Sequence, residues 1–157
     1  MLATVHALVG GAIASKVPDP TTGAALIVTS HLIMDCIPHW DFGTHWRKRP
    51  KYITGIISIA DTLIGITVAY MVFGGKVATP YLAIAIILSV LPDWLETPWY
   101  IFFANAKKHK PAKTAGFLEK FAFHIYKLES IFHSKTEFPL GLITQVVTLA
   151  FFLLLLK

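Results

Sequence analysis

The sequence predicts an all-α fold, a polytopic integral membrane helical bundle of about five transmembrane helices plus one amphipathic interfacial helix. Of the 157 residues, 55% are hydrophobic and only 15% are charged, whereas soluble domains carry about 25% charged residues. The mean hydropathy is +0.62. Apolar stretches recur along the chain, and several approach the roughly 20 residues that cross a bilayer. The length indicates a single transmembrane domain, residues 1–157.

The predicted elements follow the apolar stretches in chain order, at residues 2–17, 22–37, 53–73, 81–104 and 140–156. The first stretch has no basic region before it and no Ala-x-Ala-like site after it, so we expect it to remain as a helix. Segment 117–133 differs, because its apolar residues line one side while Lys120 and Lys127 lie on others. That pattern is typical of a helix that lies at the membrane interface.

Two basic loops, residues 47–51 and 107–113, carry many of the lysines and arginines. Positive residues near the ends of membrane helices favour the cytoplasmic side. Two helices separate the loops, so both loops can face the cytoplasm, as in a protein of the bacterial inner membrane. The net charge of +5 is then explained by topology. We therefore expect membrane lipid as a partner, allow for an oligomer, and expect no nucleic acid.

Ionisable residues on the predicted helices fall on shared faces. His31 and Asp35 are four residues apart, and Asp93 and Glu96 are three apart, so each pair shares a helix face. The remaining candidates are His6, which shares a seam of small residues with Gly10, Asp61, which shares a face with Gly65, and His39 and Asp41, which we expect to fold back from the loop after Pro38.

These carboxylates require either shared protons or bound cations, because no Lys or Arg lies within one helical turn of them along their segments. Neighbouring histidines favour a cation, since imidazole and carboxylate together suit zinc and similar divalent metals. Cys36 is the only cysteine, so a thiolate cluster is excluded. We predict a divalent metal site, with zinc as the first choice and manganese or iron as alternatives, ligated by His6, His31, His39, Asp35, Asp61 and Asp93.

Five further residues have assigned or open roles. Glu96, or Asp41 at the mouth of the site, is the candidate general base. His124 lies in the apolar stripe of the amphipathic helix, where it either descends onto the metal layer or stays at the interface. His133 and Glu137 stand at helical spacing, as a ligand pair that reaches back or as an ordinary helix terminus. A purely structural packing role stays open for any one of the candidate residues taken alone, and also for Asp61.

Three short patches resemble a family of bacterial inner-membrane proteins described as membrane-bound metal-dependent hydrolases. They are Thr4-Val5-His6-Ala7-Leu8-Val9-Gly10, Ser30-His31-Leu-Ile-Met-Asp35 and Leu91-Pro92-Asp93. The order of the last two is the reverse of the family's usual order, and the family's His-Arg-Gly-x-x-His-Ser signature is absent. A more distant resemblance is to the zinc-dependent phospholipase C and P1 nuclease group, through the pairs His31/Asp35 and His133/Glu137. Both resemblances imply hydrolysis, and the second implies a phosphoester substrate.

Three functions are compatible with these features. The first is a membrane-embedded metallohydrolase acting on a lipid phosphoester near the cytoplasmic leaflet. The second is a small cation or proton transporter or channel, in which the same polar layer binds an ion in transit. The third is a non-catalytic structural protein, in which the layer only holds helices together. The hydrolase is the hypothesis that the residues favour.

Overall fold

The computed structural model describes residues 1–105 and 107–157. The described residues form six α-helices and no strand, which confirms the all-α prediction. The helices are α1 (Ala3–Lys16), α2 (Pro20–Asp35), α3 (Lys51–Phe73), α4 (Thr79–Pro98), α5 (Phe117–Phe132) and α6 (Leu140–Leu155). A 3₁₀ turn at Trp46–Lys48 precedes α3, and a π-helical turn at Trp99–Phe103 continues α4.

Local sequence explains where several helices begin. Asp19 caps α2 by accepting a hydrogen bond from the Thr22 backbone N–H at 2.8 Å, and Pro20 occupies the first helical position. Pro80 is the second residue of α4, where a proline is also tolerated. Helix α1 has no cap from its own Leu2, so its first N–H groups find their acceptor elsewhere in the molecule.

Helix α1 is the centre of the bundle, because α2, α3, α4 and α6 all pack against it. Glycines allow the close approach. A Cβ atom on Gly10 would lie 2.7 Å from the Ser89 Cβ of α4, and one on Gly65 of α3 would lie 2.9 Å from the Thr4 Cα. The predicted seams of small residues therefore lie at helix contacts, and they fix the level of α1 relative to α3 and α4.

Helix α5 packs across one end of the bundle, against α4 and the π-helical turn. The contact is aromatic. Trp99 is fully buried and meets the Phe123 ring at 4.8 Å between centroids and the Tyr126 ring at 6.0 Å. The opposite face of α5 exposes Phe117, Phe121 and other large apolar side chains, so this helix is amphipathic, as the sequence predicts.

Among the described residues, two helices are long and apolar enough to cross a membrane, Lys51–Phe73 and the continuous helical segment Thr79–Phe103. The prediction of about five spans is therefore not confirmed. Helices α1, α2 and α6 have 14, 16 and 16 residues. At a rise of about 1.5 Å per residue they are shorter than a hydrocarbon core of about 30 Å.

Candidate metal centre

Backbone pairing between two loops assembles the candidate site at one end of the bundle. Asp35 is the last residue of α2, and its carbonyl oxygen accepts from the Ser134 N–H at 2.8 Å. The His39 N–H donates to the Ser134 carbonyl at 3.0 Å, and the Thr136 N–H donates to the His39 carbonyl at 2.8 Å. The chain after α2 is thereby held beside the chain after α5, which brings His39 and His133 together.

Four imidazoles surround the Asp35 carboxylate. The Nε2 atoms of His6 and His39 lie 3.2 and 3.7 Å from its Oδ1. Those of His31 and His133 lie 3.2 and 3.4 Å from its Oδ2. Asp35 is only 1% exposed, and its Oδ1 also contacts the Met1 amino group. These four histidines with Asp35, Asp41 and Asp93 are called the histidine–aspartate cluster below.

The other two carboxylates of the cluster lie on its open side. The Asp41 Oδ2 is 3.4 Å from the His39 Nε2 and 3.7 Å from the His133 Nε2. The Asp93 Oδ1 is 3.8 Å from the His31 Nε2 and 4.0 Å from the His133 Nε2. The structure thus brings together five of the six predicted ligands.

The hydrogen bonds of two histidines define which nitrogen can bind a cation. The His31 Nδ1 lies 2.7 Å from the Ser89 carbonyl oxygen, and the His39 Nδ1 lies 2.8 Å from the Ile37 carbonyl oxygen. A carbonyl oxygen only accepts, so each Nδ1 carries the proton. In the neutral form of each imidazole, Nε2 then has a lone pair directed into the cluster, which is the usual second-shell arrangement of metal-ligating histidines.

Several buried polar atoms of the cluster make no hydrogen bond of normal geometry to the described residues, although the nearest imidazole and carboxylate atoms lie 3.2 Å apart. They include the Nε2 atoms of His6, His31 and His39 and the Oδ2 of Asp35. Leaving such atoms unpaired is costly, so each requires an explanation. Ligands that surround zinc tetrahedrally at about 2.0–2.2 Å are about 3.3–3.6 Å apart, and most of the imidazole–carboxylate distances given above are close to that range. The donor set therefore fits a divalent cation.

The candidate ligands divide into neighbouring groups whose donor atoms all lie within 4.8 Å of one another. One group is His6, His31 and Asp93, and a second is Asp35, His39 and His133, which shares no residue with the first. A third group, Asp93, Glu96 and His133, shares Asp93 with the first group and His133 with the second. The cluster has enough ligands for more than one metal ion.

Protonation states at the open side also suit a metal. Burial alone would raise the pKa of Asp41, but contact with His39 and the charge of Lys135 hold that pKa well below its usual range. Burial is the largest cause that lowers the pKa of His133, to about 3. A charged carboxylate and a neutral imidazole are the ligand forms that divalent metals require.

Asp61 is the predicted ligand that the structure does not bring into the cluster. Its Oδ2 accepts from the Ala3 N–H at 2.8 Å, and its Oδ1 accepts from the Thr4 hydroxyl at 2.9 Å. Asp61 thus supplies the acceptor that Leu2 does not provide at the start of α1. The face of α3 that carries Asp61 does turn inward, but the partner of Asp61 there is a helix N-terminus, which attracts negative charge.

Two further candidates lie outside the cluster. His124 is exposed on α5 and belongs to none of the candidate ligand groups. Helix α5 ends at Phe132, and the chain from His133 onward is extended, so the predicted helical pair His133/Glu137 does not form. The Glu137 Oε1 instead lies 2.8 Å from the exposed His45 Nε2. Of that pair, only His133 reaches the cluster.

Glu96 lies beside the cluster in a cleft between α3 and α4 with a volume of about 90 Å³. Its Oε1 accepts from the Tyr100 hydroxyl at 3.0 Å, and its Oε2 is buried without a partner. This inner cleft is lined by Met1, Ala3, Asp41, Phe42, Gly43, Trp46, Thr54, Ser58, Asp61, Thr62, Val90, Asp93, Trp94, Glu96, Thr97, Tyr100, His133 and Lys135. A carboxylate so placed can take a proton from a molecule bound at the cluster.

Sequence reasoning missed Lys135. Its Nζ lies 3.2 Å from the Asp41 Oδ2, and it lines the inner cleft. Its position two residues after His133, with side chains alternating along an extended segment, could have indicated that both point to the same side. The sequence does not show that α5 ends at Phe132, so the extended conformation of this segment could not be predicted.

Searches against protein-family models, curated proteins and solved structures found no match to this chain.

Proposed function

We propose that this protein is a membrane-embedded metal-dependent hydrolase that acts on a phosphoester of a lipid or its headgroup, near the cytoplasmic leaflet, with zinc as the preferred metal. The observation that carries the proposal is the histidine–aspartate cluster. Its buried imidazole nitrogens lack partners and face carboxylates at ligand-like spacing, next to a cleft that contains an unpaired glutamate oxygen. In a purely structural role these polar atoms would depend on contacts within the cluster alone, which lack normal hydrogen-bond geometry.

Support for a membrane setting comes from the outer faces of the bundle. The outward sides of α3, α4 and α6 expose large apolar residues, with Met71 at 78% and Leu154 at 71% of their full surface. Monomeric soluble proteins rarely expose continuous apolar patches on this scale. Helices α3 and α4 would span the bilayer, and the shorter helices would be held against them. The basic loops 47–51 and 107–113 would then face the cytoplasm of a bacterial inner membrane.

The protein's own residues have distinct roles in the proposed reaction. A bound divalent metal would polarise a phosphoryl oxygen and lower the pKa of a bound water molecule. His31 and His39 hold their Nε2 lone pairs in place through their Nδ1 bonds to backbone carbonyls. Glu96 is the general base, and Tyr100 orients it by donating to its Oε1. Lys135 can neutralise charge on a phosphoryl oxygen in the inner cleft.

Packing beyond the cluster favours hydrolysis over transport. Along α1, past His6, the side chains of Val9 and Ile13 are buried against Ile27 of α2 in one continuous apolar core. An ion that entered from the site end would meet this core rather than a second polar layer. The layer of candidate ligands is thus placed at one end of the bundle, as in a site that opens to one side.

The test combines metal content with hydrolysis. Protein purified in detergent without a histidine tag is analysed for zinc, manganese and iron, and is then assayed with phospholipid substrates. We expect a stoichiometric metal and release of a phosphorylated or dephosphorylated headgroup. His133→Ala should lose metal, whereas His124→Ala, a matched change at the exposed histidine of α5, should retain it.

Metal-free protein that is folded and resists loading would disprove the proposal. So would equal metal content in wild type and His133→Ala, because His133 belongs to two of the candidate ligand groups. Cation flux into liposomes without hydrolysis would support the transporter instead.

A further inference from the structure

A second cavity shares part of its lining with the inner cleft. Its volume is about 430 Å³, within the range of small-molecule sites. We call it the vestibule, and its lining residues are Gly43, His45, Trp46, Arg47, Lys48, Glu96, Tyr100, Tyr126, Ser130, His133 and Lys135. Glu96, His133 and Lys135 also line the inner cleft. A molecule in the vestibule would therefore contact residues that also line the inner cleft, including His133 of the histidine–aspartate cluster.

The charge of the vestibule is positive. Arg47, Lys48 and Lys135 line it, and Glu96 is the one carboxylate in its lining among the described residues. Glu96 lies at the inner wall, where the two cavities meet. Apart from Glu96, the charged residues of the lining are cations, which favours an anionic group there.

The aromatic wall of the vestibule is not free to bind a cation. The Arg47 guanidinium carbon lies 4.2 Å from the Trp46 ring centroid, so it covers one face of the indole. Tyr100 meets the same ring edge-on at 4.6 Å, and Tyr126 meets Tyr100 at 5.3 Å. A quaternary ammonium group such as choline binds an open aromatic cage. Here the Arg47 guanidinium already occupies one face of the Trp46 ring, so the ring does not form an open cage.

An apolar surface adjoins this basic cavity. Lys48 of its lining lies three residues before Lys51, the first residue of α3, and the first turns of α3 expose Tyr52 and Ile56. A lipid whose polar group occupies the vestibule can therefore leave its acyl chains along α3. This arrangement favours a lipid over a soluble phosphate ester as the source of the anionic group.

We propose that the vestibule binds the acidic headgroup of a phospholipid, specifically a headgroup that carries a phosphate beyond the scissile phosphoester. This inference rests on the proposed function, because it places the scissile bond at the cluster. Arg47 and Lys48 would bind the additional phosphate, and the scissile phosphoester would reach the inner cleft beside Lys135 and Glu96.

Binding of uncleavable ligands tests the inference separately from catalysis. The full chain, as purified with its metal in nonionic detergent, is titrated with two short-chain lipid phosphonates that differ only in headgroup: glycerol phosphate or choline. We expect the glycerol phosphate ligand to bind about tenfold more tightly or better, the effect of one charge-assisted contact. Lys48→Glu should remove that preference, and Lys110→Glu, an equal charge reversal at an exposed lysine of loop 107–113, should keep it.

Equal binding of the two phosphonates would overturn the inference, as would equal losses in Lys48→Glu and Lys110→Glu, which would indicate general surface attraction. Arg47→Gln is a second variant that should reduce the preference. Free glycerol 3-phosphate that binds as tightly as the lipid would overturn the lipid assignment. If the protein binds the headgroup selectively but hydrolyses no phosphoester, the inference about the vestibule holds and the proposed function is wrong.

Discussion

Two aspartates in apolar helices, Asp35 and Asp61, look alike in sequence and have different partners in the structure. Asp61 accepts hydrogen bonds from the first residues of α1, so its charge is compensated by backbone donors. Asp35 meets four imidazoles, three of whose Nε2 atoms lack a hydrogen-bond partner. Asp35 also contacts the Met1 amino group, so what separates it from Asp61 is the set of potential ligands around it, and these ligands indicate a metal site.

Removing the charge of Asp35 is expected to have the largest effect. Asp35→Asn deletes the carboxylate that contacts all four histidines and breaks the ligand group of Asp35, His39 and His133, so we expect the metal of that group to be lost and hydrolysis to fall below detection. Elemental analysis and a lipid hydrolysis assay on the same preparation measure both. The matched control is Asp19→Asn, at an exposed helix N-cap where Asn is an equally good residue, and it should change neither quantity.

If Asp35→Asn protein inserts, stays folded and keeps its full metal content, Asp35 is not a ligand. The contrast with Asp61 would then disappear, and both residues would be structural.

Replacement of Glu96 separates catalysis from metal binding. Glu96→Gln keeps the shape of the side chain and the contact with Tyr100 but removes the base. We expect hydrolysis to fall by about 10²–10⁴-fold. Metal content should stay near that of wild type, because Glu96 belongs to neither of the two ligand groups that share no residue, and both of those groups stay intact. Parallel loss of metal in Glu96→Gln would reassign this residue from base to ligand.

The sequence allowed much of the cluster to be predicted because the relevant spacings are local. His31 and Asp35 share a face through helical periodicity, and the loop after α2 was expected to return His39 and Asp41 to the same level. Those residues do meet in the structure.

The position of His133 depends on contacts that are far apart in the chain. Ser134 pairs with Asp35 and His39 through backbone hydrogen bonds, and no periodicity within α5 signals that pairing. For Asp61, periodicity gave the inward direction but not the partner, since the start of α1 lies almost sixty residues earlier and packs there through Gly65. Helical patterns define faces, whereas the identity of the facing group requires the packing.

Loss of the Asp61 carboxylate is expected to reduce stability and spare the metal. Asp61→Ala removes the acceptor for the first N–H groups of α1, and losing such a cap costs about 0.5–2 kcal/mol. Thermal unfolding in detergent should show a lower Tm, and Asp61→Asn, which keeps one acceptor oxygen, should show a smaller decrease. Asp61→Asn protein that is folded but depleted of metal would return Asp61 to the ligand set and weaken the contrast with Asp35.

The smallest effect is expected at the exposed pair of His45 and Glu137, whose side chains are 50% and 71% exposed. A surface ion pair contributes about 0–1 kcal/mol, so Glu137→Gln should leave Tm almost unchanged and should leave metal content and hydrolysis at wild-type values. Both measurements matter, because Glu137 has the sequence spacing of a ligand to His133 and lacks only the helix that would bring it inward. Metal loss in Glu137→Gln would mean that the extended segment after α5 folds back over the cluster, and that Asp35 and His133 share their cation with a carboxylate that the structure places outside.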